Sequence, residues 1–325
     1  MIAAAGLRTH IWNNNLKSIL LLAGFPVLVL ALVYAGVFLL ASADTTETSF
    51  ARYAGQAFDQ TVYLTPFVIV GVATWFVIAW FSHQAIIDAS TGARKVNRTD
   101  EPELYNLLEN LVISRGMPMP SLRIIESDAL NAYASGLSEK KAVITVTRGL
   151  MNALDRDELE AVLAHELSHV IHRDVRLLVI SVIFVGIISF AIEIGMRSLF
   201  FRRSGNGGRG GLILLVVALI AAVAYGLAIL IRFALSRSRE FMADAGAVEL
   251  TKNPDAMISA LEKISGRSEI EDAPKEVRQM FIDDTAKASF TGLFATHPPI
   301  ERRIEALVEY AGGHRRVSDT SIPEI

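Results

Sequence analysis

The stretch His165-Glu166-Leu167-Ser168-His169 spells H-E-x-x-H inside a helical pattern and carries the strongest signal in this chain. Residues four apart lie on one face of a helix, so both imidazoles can bind one tetrahedral Zn²⁺. Glu166 lies beside them, where its carboxylate can take a proton from a water bound to that ion. The pattern predicts a metal-dependent hydrolase that attacks an amide carbonyl.

The residues around this motif predict a mainly α fold with a small β-sheet, in the α+β class. Asp155 and Glu158 form a capping-box pattern at the start of the motif helix. Short strands and further helices are predicted from alternation, helical spacing and turn residues. The strands are Leu122–Ile125, Ala132–Ser135 and Ala142–Thr147, with a turn at Ser138–Lys141; the helices are Thr99–Ser114, Ser236–Leu250, Asn253–Ile264 and Pro298–Tyr310.

Four apolar segments are long enough, or nearly so, to cross a bilayer. They are Ile19–Ala41, Val62–Phe81, Leu177–Phe201 and Leu212–Ile231. Ala41-Ser42-Ala43 also resembles a signal-peptidase site, but the first segment is longer than the usual 7–15 residues of a signal h-region. We therefore expect an uncleaved anchor and about four transmembrane helices.

The distribution of charge near the apolar segments predicts their orientation. Arg8 and Lys17 precede the first segment, basic residues follow the second, and the loop Ser42–Thr61 between them is mainly acidic. This places the N-terminus and the H-E-x-x-H motif in the cytoplasm. Three arginines in the loop Phe201–Gly211 disagree, so full crossing and a partial hairpin both stay open for the last two segments.

These features divide the chain into four expected regions. Residues 1–90 form an N-terminal transmembrane hairpin, and residues 91–175 the first part of a protease domain. Residues 176–235 form a second hairpin that crosses or enters the membrane, and residues 236–325 complete the protease domain with the third metal ligand.

The overall composition restricts the partners and the metal ligands. The 325 residues carry a net charge of −3 and no cysteine. The charge provides no basic surface for nucleic acid. Without thiolates, histidines and carboxylates are the ligands left for a zinc ion.

Two candidates exist for the third metal ligand. His172 shares the face of His165, but it lies nearly two helical turns away along the axis, too far for one ion. Glu240 and Asp244 form a carboxylate pair on the helix after the fourth apolar segment. We expect Glu240 to bind the metal and Asp244 to hold a ligand histidine by a hydrogen bond. The alternative is that this pair is a solvated acidic face.

Three motifs occur in one order over roughly residues 100 to 310: H-E-L-S-H followed by Asp174, then S-R-x-x-E-F-x-A-D at 236–244, then T-H-P-P-I-E-R-R-I-E at 296–305. Together they resemble the HtpX family of bacterial membrane zinc metalloproteases and, more distantly, the CAAX prenyl proteases. The resemblance implies a gluzincin-type domain facing the cytoplasm. It also implies one Zn²⁺ per chain on His165, His169 and Glu240, with Glu166 as general base.

The same resemblance implies further functional residues and a biological role. His297 and Arg303 fall on the family's histidine and arginine, either of which can stabilise a developing oxyanion; helix capping is the alternative for His297. Asn131, Ala132 and Tyr133 belong to a strand whose exposed edge could pair with an extended substrate. The implied role is endopeptidase quality control of unfolded or misfolded membrane proteins at the bacterial inner membrane, with the lipid bilayer as a further partner.

Two other functions fit parts of the sequence. A zinc-protease signal transducer would need an external sensor, and the predicted external loops are too short to fold as one, so a partner would have to supply it. A non-catalytic membrane scaffold that keeps zinc for structure would normally close the fourth zinc position with another protein ligand.

Overall fold

The structure is a computed structural model that describes residues 7–42, 49–175, 179–180, 218–219, 223, 238–265, 267–268, 281–282 and 298–315. Its helices are α1 (Leu7–Ala41), α2 (Phe50–Thr91), α3 (Pro102–Arg115), α4 (Arg148–Ala153), α5 (Arg156–Ile171), α6 (Ser238–Thr251), α7 (Pro254–Ile264) and α8 (Ile300–Ala311). Its strands are β1 (Arg94–Lys95), β2 (Ser121–Ile125), β3 (Ala132–Ser135) and β4 (Val143–Thr147), with a 3₁₀ turn at Glu139–Lys141.

The four strands form one mixed sheet in the order β1-β2-β4-β3. The central pair β2–β4 is parallel, and both outer strands run antiparallel to their neighbours. The three predicted strands are confirmed within one residue at each end. The short β1 and α4 were not predicted, because a two-residue strand and a helix of six residues carry too little pattern to detect. A mainly helical fold with a small mixed sheet is confirmed.

Helix α5 carries the H-E-x-x-H motif through the middle of the core. Eleven of its sixteen residues are buried, among them apolar residues that pack with α3, β4 and α7. The predicted capping box is confirmed: Asp155 accepts from Glu158 N at 3.0 Å, and Asp155 N donates to Glu158 Oε2 at 2.8 Å. Glu158 also binds Ser259 and Lys263 of α7, so the start of α5 is fixed to its neighbour.

Two helices, Ser18–Leu39 within α1 and the 42-residue α2, are long and apolar enough to cross a membrane. Helices α1 and α2 contain the first two predicted segments, Ile19–Ala41 and Val62–Phe81. The prediction of a loop over Ser42–Thr61 is wrong, because α2 already begins at Phe50. No proline stands between Phe50 and Thr61, and the charged residues there can lie on the outside of a helix that water surrounds.

The third and fourth predicted segments fall almost entirely outside the described residues, so four transmembrane helices stay a prediction. The chain divides into two compact units. One consists of Gln84–Val179 and Leu235–Ile325 together with Met1–Asn14, and it holds the sheet and the H-E-x-x-H helix. The other consists of Asn15–His83 and Ile180–Ala234.

Some predicted helix ends differ from the observed ones. Helix α3 begins at Pro102 with Glu101 as its cap residue, three residues after the predicted start at Thr99. Pro102 at the first helical position fits the fixed φ of proline. Gly116 ends α3 in the left-handed region at φ 62°, the conformation typical of a glycine just past a helix.

Candidate metal centre

Two helices bring together the three predicted metal ligands. His165 and His169 lie one turn apart on α5, and Glu240 lies in the first turn of α6, which packs against α5. The two imidazole Nε2 atoms are 3.2 Å apart, and Glu240 Oε2 lies 3.7 Å and 3.8 Å from them. A point equidistant from these atoms lies about 2.1 Å from each, which matches zinc–nitrogen and zinc–oxygen bond lengths.

The other side of each histidine faces a carboxylate. His165 Nδ1 lies 2.9 Å from Asp244 Oδ1, and His169 Nδ1 lies 3.1 Å from Asp174 Oδ2. Each Nδ1 therefore carries the ring proton and donates a hydrogen bond to its carboxylate, which leaves each Nε2 as an acceptor with a free lone pair. The prediction for Asp244, a hydrogen bond to a ligand histidine, matches the observed contact.

The closeness of the two Nε2 atoms needs a positive charge between them. Two acceptor lone pairs at 3.2 Å repel each other unless a cation or a proton lies between them. Burial by itself would lower the pKa of His169, but the carboxylates of Glu240 and Asp174 outweigh burial and raise the pKa to about 10. The surrounding charges therefore favour a cation at this point.

The buried charges that the described residues place around the histidines sum to a value that a divalent ion balances. Glu166, Asp174, Glu240 and Asp244 are at most 3% exposed, and two equally buried arginines, Arg239 and Arg303, accompany them. With neutral imidazoles the set carries −2. Burying uncompensated charge is costly, so this donor set fits one divalent metal ion.

Glu166 lies inside this centre but is not one of the converging ligands. Its carboxylate is 1% exposed, and Oε1 has no hydrogen-bond partner among the described residues. Burial raises the pKa of Glu166 above its usual range. A buried carboxylate oxygen without a partner, beside a metal site, is suited to hold and deprotonate a water molecule.

Arg303 reaches the centre from α8 and holds Asp244 in place. Its Nε donates to Asp244 Oδ2 at 2.9 Å and its Nη2 donates to Oδ1 at 2.6 Å, a bidentate pair that is almost fully buried. Burial alone would raise the pKa of Asp244, but Arg303 holds that pKa below its usual range. The guanidinium thus lies on the Nδ1 side of His165 and acts on the metal site through Asp244.

Asp174 belongs to the site, although no role for it is predicted from its place after the H-E-L-S-H motif. It follows the end of α5 by three residues, and Arg173 before it adopts a left-handed backbone at φ 60°. That conformation is uncommon for a residue with a side chain. It accompanies a sharp turn after the helix, beyond which the Asp174 carboxylate reaches His169. The position of this carboxylate shortly after the H-E-x-x-H helix is the sequence feature from which its role could have been predicted.

His172, the rejected alternative for the third ligand, lies apart from the converging atoms. It is the C-cap residue that follows α5, and its Nδ1 is 3.5 Å from Ser168 Oγ. The group of described residues that could hold a metal consists of His165, His169 and Glu240. His297 lies outside the described residues, so its predicted oxyanion role stays a prediction.

The prediction that strand β3 presents an exposed edge is wrong. Asn131, Ala132 and Tyr133 are at most 1% exposed. Ile282 N donates to the Ala132 carbonyl at 3.0 Å, and the Asn131 amide donates to the Ser268 carbonyl at 2.6 Å. The strand is the outer one of the sheet, as expected, but residues more than 130 positions later in the chain cover it.

Comparisons with known proteins bear on the family of the chain. The model of peptidase family M48 matches residues 98–311. A protein called "Protease HtpX homolog" from Bacteroides fragilis (strain YCH46) is 46% identical over 94% of this chain and 99% of its own length. Proteins of the same name from Listeria monocytogenes serotype 4a and Ligilactobacillus salivarius are 39% and 35% identical, over 75% and 92% of this chain and 86% and 98% of their own lengths.

Among solved structures, the crystal structure of S. mikatae Ste24p is 21% identical with a TM-score of 0.43, and the match covers 91% of this chain and 66% of that one. A likeness of that degree adds nothing to the assignment. The M48 match includes every residue of the converging site, and the identities with the HtpX homologues extend over most of the chain. The chain therefore belongs to peptidase family M48 as an HtpX-like metallopeptidase.

Proposed function

We propose that this protein is a zinc-dependent endopeptidase in which His165, His169 and Glu240 hold the ion and Glu166 is the general base. The observation that carries the proposal is the convergence of two Nε2 atoms and one carboxylate oxygen within 3.8 Å of one another. His₂Glu with an open fourth position is a ligand set of zinc peptidases.

Each buried side chain has a distinct task in this proposal. A bound zinc ion would polarise the amide carbonyl and lower the pKa of its water towards about 7. Glu166 accepts the proton from that water, and the same carboxyl can then pass the proton to the leaving amine. Its raised pKa brings it closer to the pH at which both transfers are efficient.

The remaining charged residues keep the ligands in place. Asp174 and Asp244 hold the two imidazoles in the tautomer that leaves Nε2 free. We propose that Arg303 acts by fixing Asp244, since its Nε and Nη2 donate to that carboxylate. Stabilisation of the oxyanion is then left to the metal and, as the family resemblance implies, to His297.

The test is digestion of unfolded casein by detergent-purified protein, with the metal content measured in every sample. Glu166→Gln should retain the metal and lose cleavage. Glu160→Gln, on the same helix and less buried, is the matched control and should cleave like the wild type. If Glu166→Gln cleaved casein as fast as the wild type, Glu166 would not be the general base. If the wild type bound metal but did not cleave, a scaffold or a partner-dependent protease would be favoured.

We further propose that α1 and α2 anchor the protein in the bacterial cytoplasmic membrane, with the metal centre in the cytoplasm. Both helices are long and apolar enough to span, and basic residues flank them on the proposed cytoplasmic side. A metal centre in the cytoplasm, on a chain anchored in the membrane, suits unfolded or misfolded membrane proteins as substrates.

The absence of native cysteine allows a direct test of this orientation. Ser49→Cys, at the exposed start of α2, should react with a membrane-impermeant maleimide in intact spheroplasts. Glu103→Cys, exposed on α3, should react only after lysis. The reverse pattern would show that the catalytic unit faces outward.

A further inference from the structure

We infer that Arg239 is a positioning residue that makes Glu240 offer a single oxygen to the metal. This inference rests on the metal centre proposed above. It concerns a residue at a position that the S-R-x-x-E motif at 236–240 leaves unspecified. The two oxygens of Glu240 have different neighbours.

Glu240 Oε2 faces the two imidazoles at 3.7 Å and 3.8 Å. Glu240 Oε1 instead accepts a hydrogen bond from Arg239 Nε at 3.1 Å. The guanidinium of Arg303 lies on the other side, with Nη1 3.9 Å from Oε2, which is beyond hydrogen-bond distance. Among the arginines that the structure describes, Arg239 is therefore the one that binds the oxygen turned away from the histidines.

The contact between Arg239 and Glu240 is not a consequence of helix geometry. Consecutive residues on a helix do not face each other, so the two side chains meet only because both turn into the core. Their side chains are 3% and 1% exposed. A buried arginine is rare unless it is paired, and here its pair is a carboxylate that ligates the metal.

The contact between Arg239 and Glu240 affects the open coordination position of the metal that catalysis needs. A carboxylate can bind a metal through one oxygen or through both, and a second oxygen would take the place of water or substrate. Arg239 holds Oε1 in a charge-assisted hydrogen bond and also cancels one unit of buried negative charge. Without it the buried set would carry −3, and Oε1 would be drawn towards the ion.

The test measures coordination directly, by X-ray absorption at the zinc K-edge of the purified full-length protein. Wild type should show three protein ligands and one water. Arg239→Met, which removes the donor and the charge at similar volume, should retain zinc, gain an oxygen neighbour and lose about 10- to 100-fold in kcat with little change in KM. Arg115→Met is the matched control. It also removes an arginine that pairs with a glutamate of α6, but that glutamate, Glu249, is exposed.

A second variant, Arg239→Lys, tests the inference if Arg239→Met does not fold. Arg239→Lys keeps the charge and places a methylene where Nε stands, so it should show the same added oxygen neighbour. A folded Arg239→Met with wild-type coordination, or a loss of activity that only follows loss of zinc, would overturn the inference. A wild type that binds no zinc would instead refute the metal centre itself, so the two failures are distinguishable.

Discussion

Gly246 controls the distance between the two helices that supply the metal ligands. A Cβ added at Gly246 would overlap Ser168 Oγ and would lie 2.9 Å from Ser168 Cβ. The hydroxyl can rotate away, but the Ser168 Cβ is fixed to the backbone of α5. To reach an ordinary contact of 3.4 Å, α5 and α6 must separate by about half an ångström at this point.

We therefore predict that Gly246→Ala weakens both folding and metal binding. Overpacking of this kind costs about 1–3 kcal/mol, and the better helix propensity of alanine returns roughly 0.5–1 kcal/mol of it. The separation also moves Glu240 away from the two histidines, so zinc affinity should fall at least several-fold. Ser168→Gly in the same chain removes the obstructing atoms and should restore zinc affinity.

The assay is competition for zinc with a chromophoric chelator, together with thermal unfolding in detergent. Gly71→Ala is the control, because a Cβ there meets no atom within 4 Å. Wild-type zinc affinity and an unchanged melting temperature in Gly246→Ala would refute the argument that close helix packing sets the ligand distances.

Three further predictions follow from the charged contacts. Asp174→Ala should lower zinc affinity about 10- to 100-fold, because His169 loses the carboxylate on its Nδ1; an unchanged chelator titration would contradict this. Arg303→Met should cost about 3–5 kcal/mol in denaturant unfolding, because Asp244 stays buried without its ion pair, and a cost below about 1 kcal/mol would be inconsistent with that burial. Hydrogen bonds from two arginines lower the pKa of Glu126 from 4.5 to about 2. Glu126→Gln should therefore destabilise the protein above pH 4.5, by less than about 1 kcal/mol because Glu126 is half exposed. The difference in stability between wild type and Glu126→Gln should vanish as the pH falls towards 2. A Glu126→Gln penalty in thermal unfolding that persisted at pH 2 would show that another effect is responsible.

The parts of the site that the sequence predicted depend on local spacing. His165 and His169 are one turn apart, and Glu240 and Asp244 are one turn apart on another helix, so helical geometry alone fixes each pair. The capping box at Asp155 is local in the same way. Such features need no knowledge of how the helices pack.

The parts that the sequence did not predict depend on packing between distant segments. Ile282 covers the edge of β3 and is 150 residues away from Ala132 in the chain. The left-handed turn at Arg173 and the contact of Arg239 with Glu240 depend on local backbone and on burial, neither of which residue type reveals. Helix α2 begins twelve residues before its apolar run because helix continuation does not require apolar residues.

The central claim is that Glu240 completes a zinc site with the two histidines, and metal analysis tests it most directly. Zinc per chain should be measured by mass spectrometry after dialysis against a weak chelator, for wild type, Glu240→Gln and the exposed control Glu249→Gln on the same helix. We predict close to one zinc in wild type and the control, and a loss of most of it in Glu240→Gln. Equal zinc in all three proteins would contradict the proposed ligand set.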